Sequence, residues 1–109
     1  DAAGGVEGKD ITFITPDDYR LEQNYPNPFN PSTNIAFYLP IRDKISLKVY
    51  DMLGREVRTL INHEEYDRGT SNITWNGRDN AGKVAATGTY FYTLKFGNFE
   101  KTNKMLLVK

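Results

Sequence analysis

Residues 24–31 read Asn-Tyr-Pro-Asn-Pro-Phe-Asn-Pro, and three prolines within six positions restrict the chain here more than anywhere else. Each proline ring holds φ near about −65° and removes a backbone donor, so neither a helix nor a central strand can form. The segment must be a stiff extended or turning ramp. Tyr25 and Phe29 are large apolar bodies within it, set among asparagines that can bond back to local backbone. Such a ramp is expected to lie along a domain with its rings inserted, Phe29 pinning it in place.

After the ramp, strand signals alternate with turn signals. Residues 33–39 put Ile35, Phe37 and Leu39 on one face and Asn34, Ala36 and Tyr38 on the other, before Pro40 ends the run. Residues 44–50 repeat the device, with Ile45, Leu47 and Val49 inward and Lys44, Ser46 and Lys48 outward. A tight reversal at residues 51–54, ending in Gly54, leads into a more weakly patterned strand at 55–61. Residues 62–68 read as a charged loop, and 69–75 as a strand with Ser71, Ile73 and Trp75 on one side. Asn76-Gly77 and Ala81-Gly82 frame a polar loop, Gly88 opens a Tyr-rich strand to Phe96, and Gly97-Asn98 makes a two-residue hairpin into 99–108. The end of that last run, 105–108, is apolar on both faces and is expected deep in a sheet. The predicted core is Ile35, Phe37, Ile45, Leu47, Val49, Ile73 and Trp75. Turns at intervals of about ten residues predict an all-β fold, an immunoglobulin-like antiparallel β-sandwich of about seven strands.

Before the ramp, residues 1–10 have linker composition, and 11–15 are β-formers broken by Pro16, readable as a short edge strand or as the tail of an upstream domain. The expected organisation is a linker or tail at 1–19 and one domain at 20–109, which suits a chain of 109 residues. The sequence opens on Asp1 without a charged and then apolar leader, and reads as a fragment from the end of a longer protein. No apolar run approaches a helical membrane span.

Chemistry-bearing patterns are sparse. Lys+Arg and Asp+Glu both number 14, so no net field draws nucleic acid, and with no cysteine there is neither a disulfide nor a thiolate site. His63 is the single histidine and sits among charges, and no nucleophile triad, Gly-x-Ser-x-Gly or phosphate loop occurs. The chain is expected to be no enzyme and to need no cofactor or metal. Residues 76–82 hold several oxygen donors, but Arg78 and Ala81 occupy the third and sixth places, where a Ca²⁺ loop wants an acid and a glycine. Glu64, Glu65 and Asp67 read as a solvated loop, and Asn72-Ile73-Thr74 is a short glycosylation match that is frequent by chance. Tyr90, Tyr92 and Phe96 alternate with Phe91 as core and half-buried positions would, which speaks against a sugar-stacking platform.

Five separated stretches carry a resemblance: residues 21–35 around the ramp, 49–57 (Val-Tyr-Asp-Met-Leu-Gly-Arg-Glu-Val), 75–79 (Trp-Asn-Gly-Arg-Asp), 88–92 (Gly-Thr-Tyr-Phe-Tyr) and 104–109 (Lys-Met-Leu-Leu-Val-Lys). Together they resemble the type A C-terminal sorting domain of type IX secretion substrates. The resemblance implies an immunoglobulin-like domain joined to an upstream cargo and read by the outer-membrane type IX translocon. In many systems a sortase-like cysteine protease then removes it. It also implies passage through the periplasm to the surface or the medium; the isolated domain is expected to be monomeric, and the balanced charge to leave it no nucleic-acid partner. Candidate recognition residues are Asn27, Pro28, Phe29, Asn30, Pro31, Gly54, Arg55, Lys101, Lys104 and Lys109. The sequence departs from the family pattern at Asn76, commonly Asp, and at Thr87-Gly88-Thr89, commonly a small-Gly-Val corner. Two other readings stand beside it: a carbohydrate-binding or adhesion module, tested by binding to insoluble polysaccharide, and a structural spacer resembling the immunoglobulin-like domain of flagellar hook-capping proteins.

Overall fold

Two antiparallel sheets face each other in the computed structural model, which describes residues 13–109. The strands are β1 (Arg20–Leu21), β2 (Thr33–Leu39), β3 (Asp43–Tyr50), β4 (Glu56–Tyr66), β5 (Gly69–Trp75), β6 (Gly88–Phe96) and β7 (Phe99–Leu107). One sheet has the order β1-β2-β5 and the other β4-β3-β6-β7. This is the immunoglobulin-like sandwich expected from the alternation.

The alternation becomes burial directly. Ile35, Phe37 and Leu39 of β2, Ile45, Leu47 and Val49 of β3, and Tyr92 and Leu94 of β6 are buried between the sheets. Each such side chain contributes about 1.5–3 kcal/mol relative to exposure. Of the predicted core residues, Ile73 alone is only half-buried, because β5 is the edge strand of its sheet. The packing also reaches back to Tyr19, which is buried, and to Ile14, which lies partly buried against the core.

Three expectations need correction. Residues 62–68 are not a loop up to Tyr66: β4 continues that far, pairing Asp43 with Tyr66. Its hydrophobic period is lost because β4 is an edge strand whose pairing shifts register at several points. His63 lies within that irregular stretch at φ 51°, and its N–H donates to Ser46 Oγ at 3.0 Å. The last strand is also an edge and not a central strand; Met105 and Leu107 are buried while Leu106 is exposed. Finally, residues 13–15 form no strand, and Ile11 and Thr12 lie outside the described residues.

The ramp joins the two sheets. Residues 20–25 run antiparallel to β2, with Glu22 N–H donating to Ala36 O and Tyr25 exchanging two bonds with Asn34. The chain then crosses to the other sheet. There the Phe29 N–H donates to Leu106 O at 2.9 Å and the Val108 N–H donates to Phe29 O at 3.0 Å, a short parallel bridge. The Tyr25–Pro26, Asn27–Pro28 and Asn30–Pro31 peptide bonds are cis. A proline-rich segment cannot extend a central sheet, but it can cover an edge with its few remaining donors, and β7 is covered in this way.

Candidate recognition surface

The antiparallel registers bring five distant stretches to one end of the sandwich. Thr33 lies opposite Trp75, Gly88 opposite Leu107 and Tyr50 opposite Phe91. The ramp, the β3–β4 turn, the β5–β6 loop, the start of β6 and the end of β7 therefore share that end.

Phe29 is 1% exposed and packs on Trp75 with ring centroids 5.6 Å apart, and Trp75 meets Tyr90 edge-on at 5.5 Å. Asn24 bonds locally, as its place beside the prolines suggested, whereas Asn27 bonds across to the last strand. Asn24 Nδ2 donates to Pro26 O at 3.1 Å and to Thr33 Oγ1 at 2.9 Å, and Asn27 Oδ1 accepts the Leu106 N–H at 3.0 Å. Tyr92 reaches through from β6: its hydroxyl donates to Glu22 O at 2.7 Å and accepts the Asn24 N–H at 2.8 Å. Burial is the main reason its phenol is pushed above the ordinary tyrosine value.

The β5–β6 loop is seated just as firmly. Trp75 Nε1 donates to Arg78 O at 2.9 Å, and Asn76 Oδ1 accepts the Arg78 N–H at 3.1 Å. Gly77 has φ 77°, and a Cβ there would stand 2.8 Å from Pro31 O, so only glycine lets the loop lie against the ramp. Asp79 Oδ1 accepts the N–H groups of Ala81 and Lys83, closing its own turn. Asn80 then docks on the β4 edge, donating its N–H to Val57 O and accepting the Thr59 N–H. The group of oxygen donors considered for Ca²⁺ is thus engaged with backbone, and no cluster of acidic or histidine side chains suited to a metal occurs among the described residues.

In the β3–β4 turn, the Asp51 carboxylate accepts the N–H groups of Leu53 and Arg55 and pairs with Arg55 Nε at 2.8 Å. The backbone bond from Arg55 is the leading cause that holds this carboxyl below its ordinary range. The turn presents Met52 and Leu53, 70% and 76% exposed, to solvent. A cleft of about 270 Å³ opens between the ramp, the loop and the end of β7.

Of the candidate residues, Asn27, Pro28, Asn30 and Pro31 are exposed on the ramp, and Gly54 and Arg55 on the neighbouring turn. Lys109 stands at the lip of the cleft. Phe29 is buried, so in the folded state its ring anchors the ramp and offers no surface to a receptor. Lys101 and Lys104 are not brought together with Lys109. An odd spacing along β7 puts the two on opposite faces: Lys101 Nζ lies 3.9 Å from Asp17, whereas Lys104 is exposed opposite Phe91. Residues missed by sequence reasoning are Met52, Leu53, Arg78 and Val84. An apolar pair at the tip of a Gly-marked turn was the available signal for the first two. Tyr90, Tyr92 and Phe96 are buried and present no stacking platform.

Residues 28–98 match the model of the FlgD Ig-like domain. The chain belongs to that family. The match begins inside the ramp and stops before β7, so the bridge between Phe29 and Leu107 joins this FlgD Ig-like domain to a strand outside the matched range. Among solved structures, FlgD from P. aeruginosa is 25% identical with a TM-score of 0.54, over 69% of this chain and 58% of that one. PorU from Porphyromonas gingivalis, described as dimeric and latent, superposes with a TM-score of 0.69 at 20% identity over 88% of this chain. PorZ, an essential surface component of the type-IX secretion system of the same bacterium, gives 0.55 at 20% over 85%. The chain spans only 10% of PorU and 12% of PorZ, and at that identity the likeness is one of fold. No curated protein matches the chain.

Proposed function

We propose that this FlgD Ig-like domain is a non-catalytic address domain, a type A C-terminal sorting domain that directs a covalently joined cargo through the periplasm and across the outer membrane by the type IX system. The observation that carries this reading is convergence. Four of the five stretches of the resemblance, the ramp, the β3–β4 turn, Trp75–Arg78 and the start of β6, meet at one end of the sandwich together with the end of the fifth, the last strand. A translocon reading that end would meet a surface already ordered by proline, aromatic packing and side-chain-to-backbone bonds, so little entropy is lost on docking. Removal by a sortase-like cysteine protease would follow recognition.

The family match favours a second reading, a structural spacer of the kind found in FlgD. One experiment separates the two. With the whole chain fused to the C-terminus of a periplasmic reporter, in a bacterium exporting its own type A substrates, the address reading expects the reporter outside the cell. A reporter that stays periplasmic while the fused domain is folded overturns that reading in favour of the spacer.

A further inference from the structure

We propose that the cleft between the ramp and the β5–β6 loop is a docking site for an extended segment of a partner protein in which a carboxylate neighbours an apolar side chain. The proposal rests on the address reading for its biological setting and names the chemistry of the partner at that surface. The floor and walls include Pro31, Ala85 and Leu107, with Val84, 69% exposed, on one bank. The charged residues lining it are Arg78 and Lys109, and no Asp or Glu lines it. With no acidic side chain in the lining, Arg78 supplies the cleft's positive charge, since the charge of a terminal Lys109 is offset by its own α-carboxylate.

Arg78 is held for this role. Its carbonyl accepts from Trp75 Nε1, its N–H is bound by Asn76 and its Nη1 donates to Gly82 O at 2.9 Å. A guanidinium carries five donors, so the fork retains donors for a carboxylate. A volume of about 270 Å³ falls below the usual range for a cofactor or drug-sized ligand and suits one or two side chains of a peptide. The ramp wall cannot shift to enlarge it without unseating Gly77 from Pro31.

Two measurements on the whole chain decide the matter. Amide shifts are followed during titration with a hexapeptide carrying adjacent Asp and Leu, and with its Asn-Leu counterpart. The expected result is perturbation of Ala85, Leu107 and Val108 by the acidic peptide, reduced tenfold or more for the counterpart and for the double variant Arg78→Glu/Lys109→Glu. No perturbation, or equal perturbation by both peptides, overturns the cleft proposal whatever the export result. In the reporter fusion, the same double variant should lower export at least tenfold with an unchanged melting temperature. The matched change Lys44→Glu/Lys95→Glu, at exposed positions away from the cleft, should leave export intact. If the wild type is exported and both doubles are exported equally, the cleft proposal falls while the address reading stands. If the wild type itself is not exported, the address reading falls and the titration alone decides the cleft.

Discussion

The two ends of the sandwich are closed by different means. At the hairpin end, Tyr19 stacks on Phe96 with ring centroids 3.9 Å apart and donates to Asp43 Oδ2 at 2.6 Å. Exposed Arg42 there pairs with Glu65 and Asp67. Its connections are short, and exposed ion pairs of this kind add about 0–1 kcal/mol. At the ramp end the connections are long and irregular, and side chains of Asn24, Asn27, Asp51, Asn76, Asp79 and Asn80 bond their backbone groups. Met52, Leu53 and Val84 nevertheless stay exposed. The comparison is one of how backbone is held: the hairpin end is shut by short connections, with Phe99 exposed beside them, whereas the ramp end holds long irregular backbone rigid and leaves Met52, Leu53 and Val84 in solvent.

Substitutions can break this contrast in graded steps. Phe29→Ala should have the largest effect, about 3 kcal/mol by urea unfolding, because it empties a buried site between the ramp and Trp75. Gly77→Ala should cost about 2 kcal/mol, combining a left-handed φ with a contact against Pro31 O. Tyr92→Phe should cost about 1–2 kcal/mol, since it leaves the Asn24 N–H without its buried partner and the Glu22 carbonyl with only the Asn103 amide. At the hairpin end, Tyr19→Phe removes one bond and should cost about 1 kcal/mol or less. Lys104→Gln, on the exposed face of β7, should stay within about 0.5 kcal/mol.

Alkaline pH provides a further test. Burial is the leading cause raising the phenols of Tyr19, Tyr90 and Tyr92. These groups are neutral in the fold and ionise more readily once unfolded. Their contribution is therefore fully present below the ordinary tyrosine value of about 10 and is lost as pH rises beyond it. Urea midpoints measured from about pH 9 to about pH 11 should fall, and Tyr92→Phe should flatten the fall.

Legibility in the sequence followed where each strand sits. β2 and β3 are covered by neighbours on both sides, so their inward faces repeat every second residue, and both could be read almost to the residue. β4 could not, because residues 62–65 are exposed and polar and its register slips, which erases the period before Tyr66. β7 was misplaced because two apolar faces at its end suggest a central strand, whereas ramp backbone covers that edge through bonds that leave no pattern in side-chain identity. Within the site, Phe29 and Asn24 were legible from proline chemistry, whereas the reach of Asn27 to Leu106 was not. The separation of Lys101 from Lys104 is set by strand period alone. The cleft was not legible, since it depends on how Gly77 meets Pro31 across a long loop.

The central claim is that the ramp end, not the hairpin end, is the acting surface, and one paired measurement tests it most directly. Export of the reporter fusion is compared for Met52→Ser/Leu53→Ser at the ramp end and for Phe99→Ser, an exposed aromatic at the hairpin end. Surface changes of this kind usually shift stability by no more than about 0.5 kcal/mol, so melting temperatures should match. The account predicts that export is lost for the Met52/Leu53 pair and retained for Phe99→Ser. Export retained by the pair and lost with Phe99→Ser, at equal stability, would contradict it.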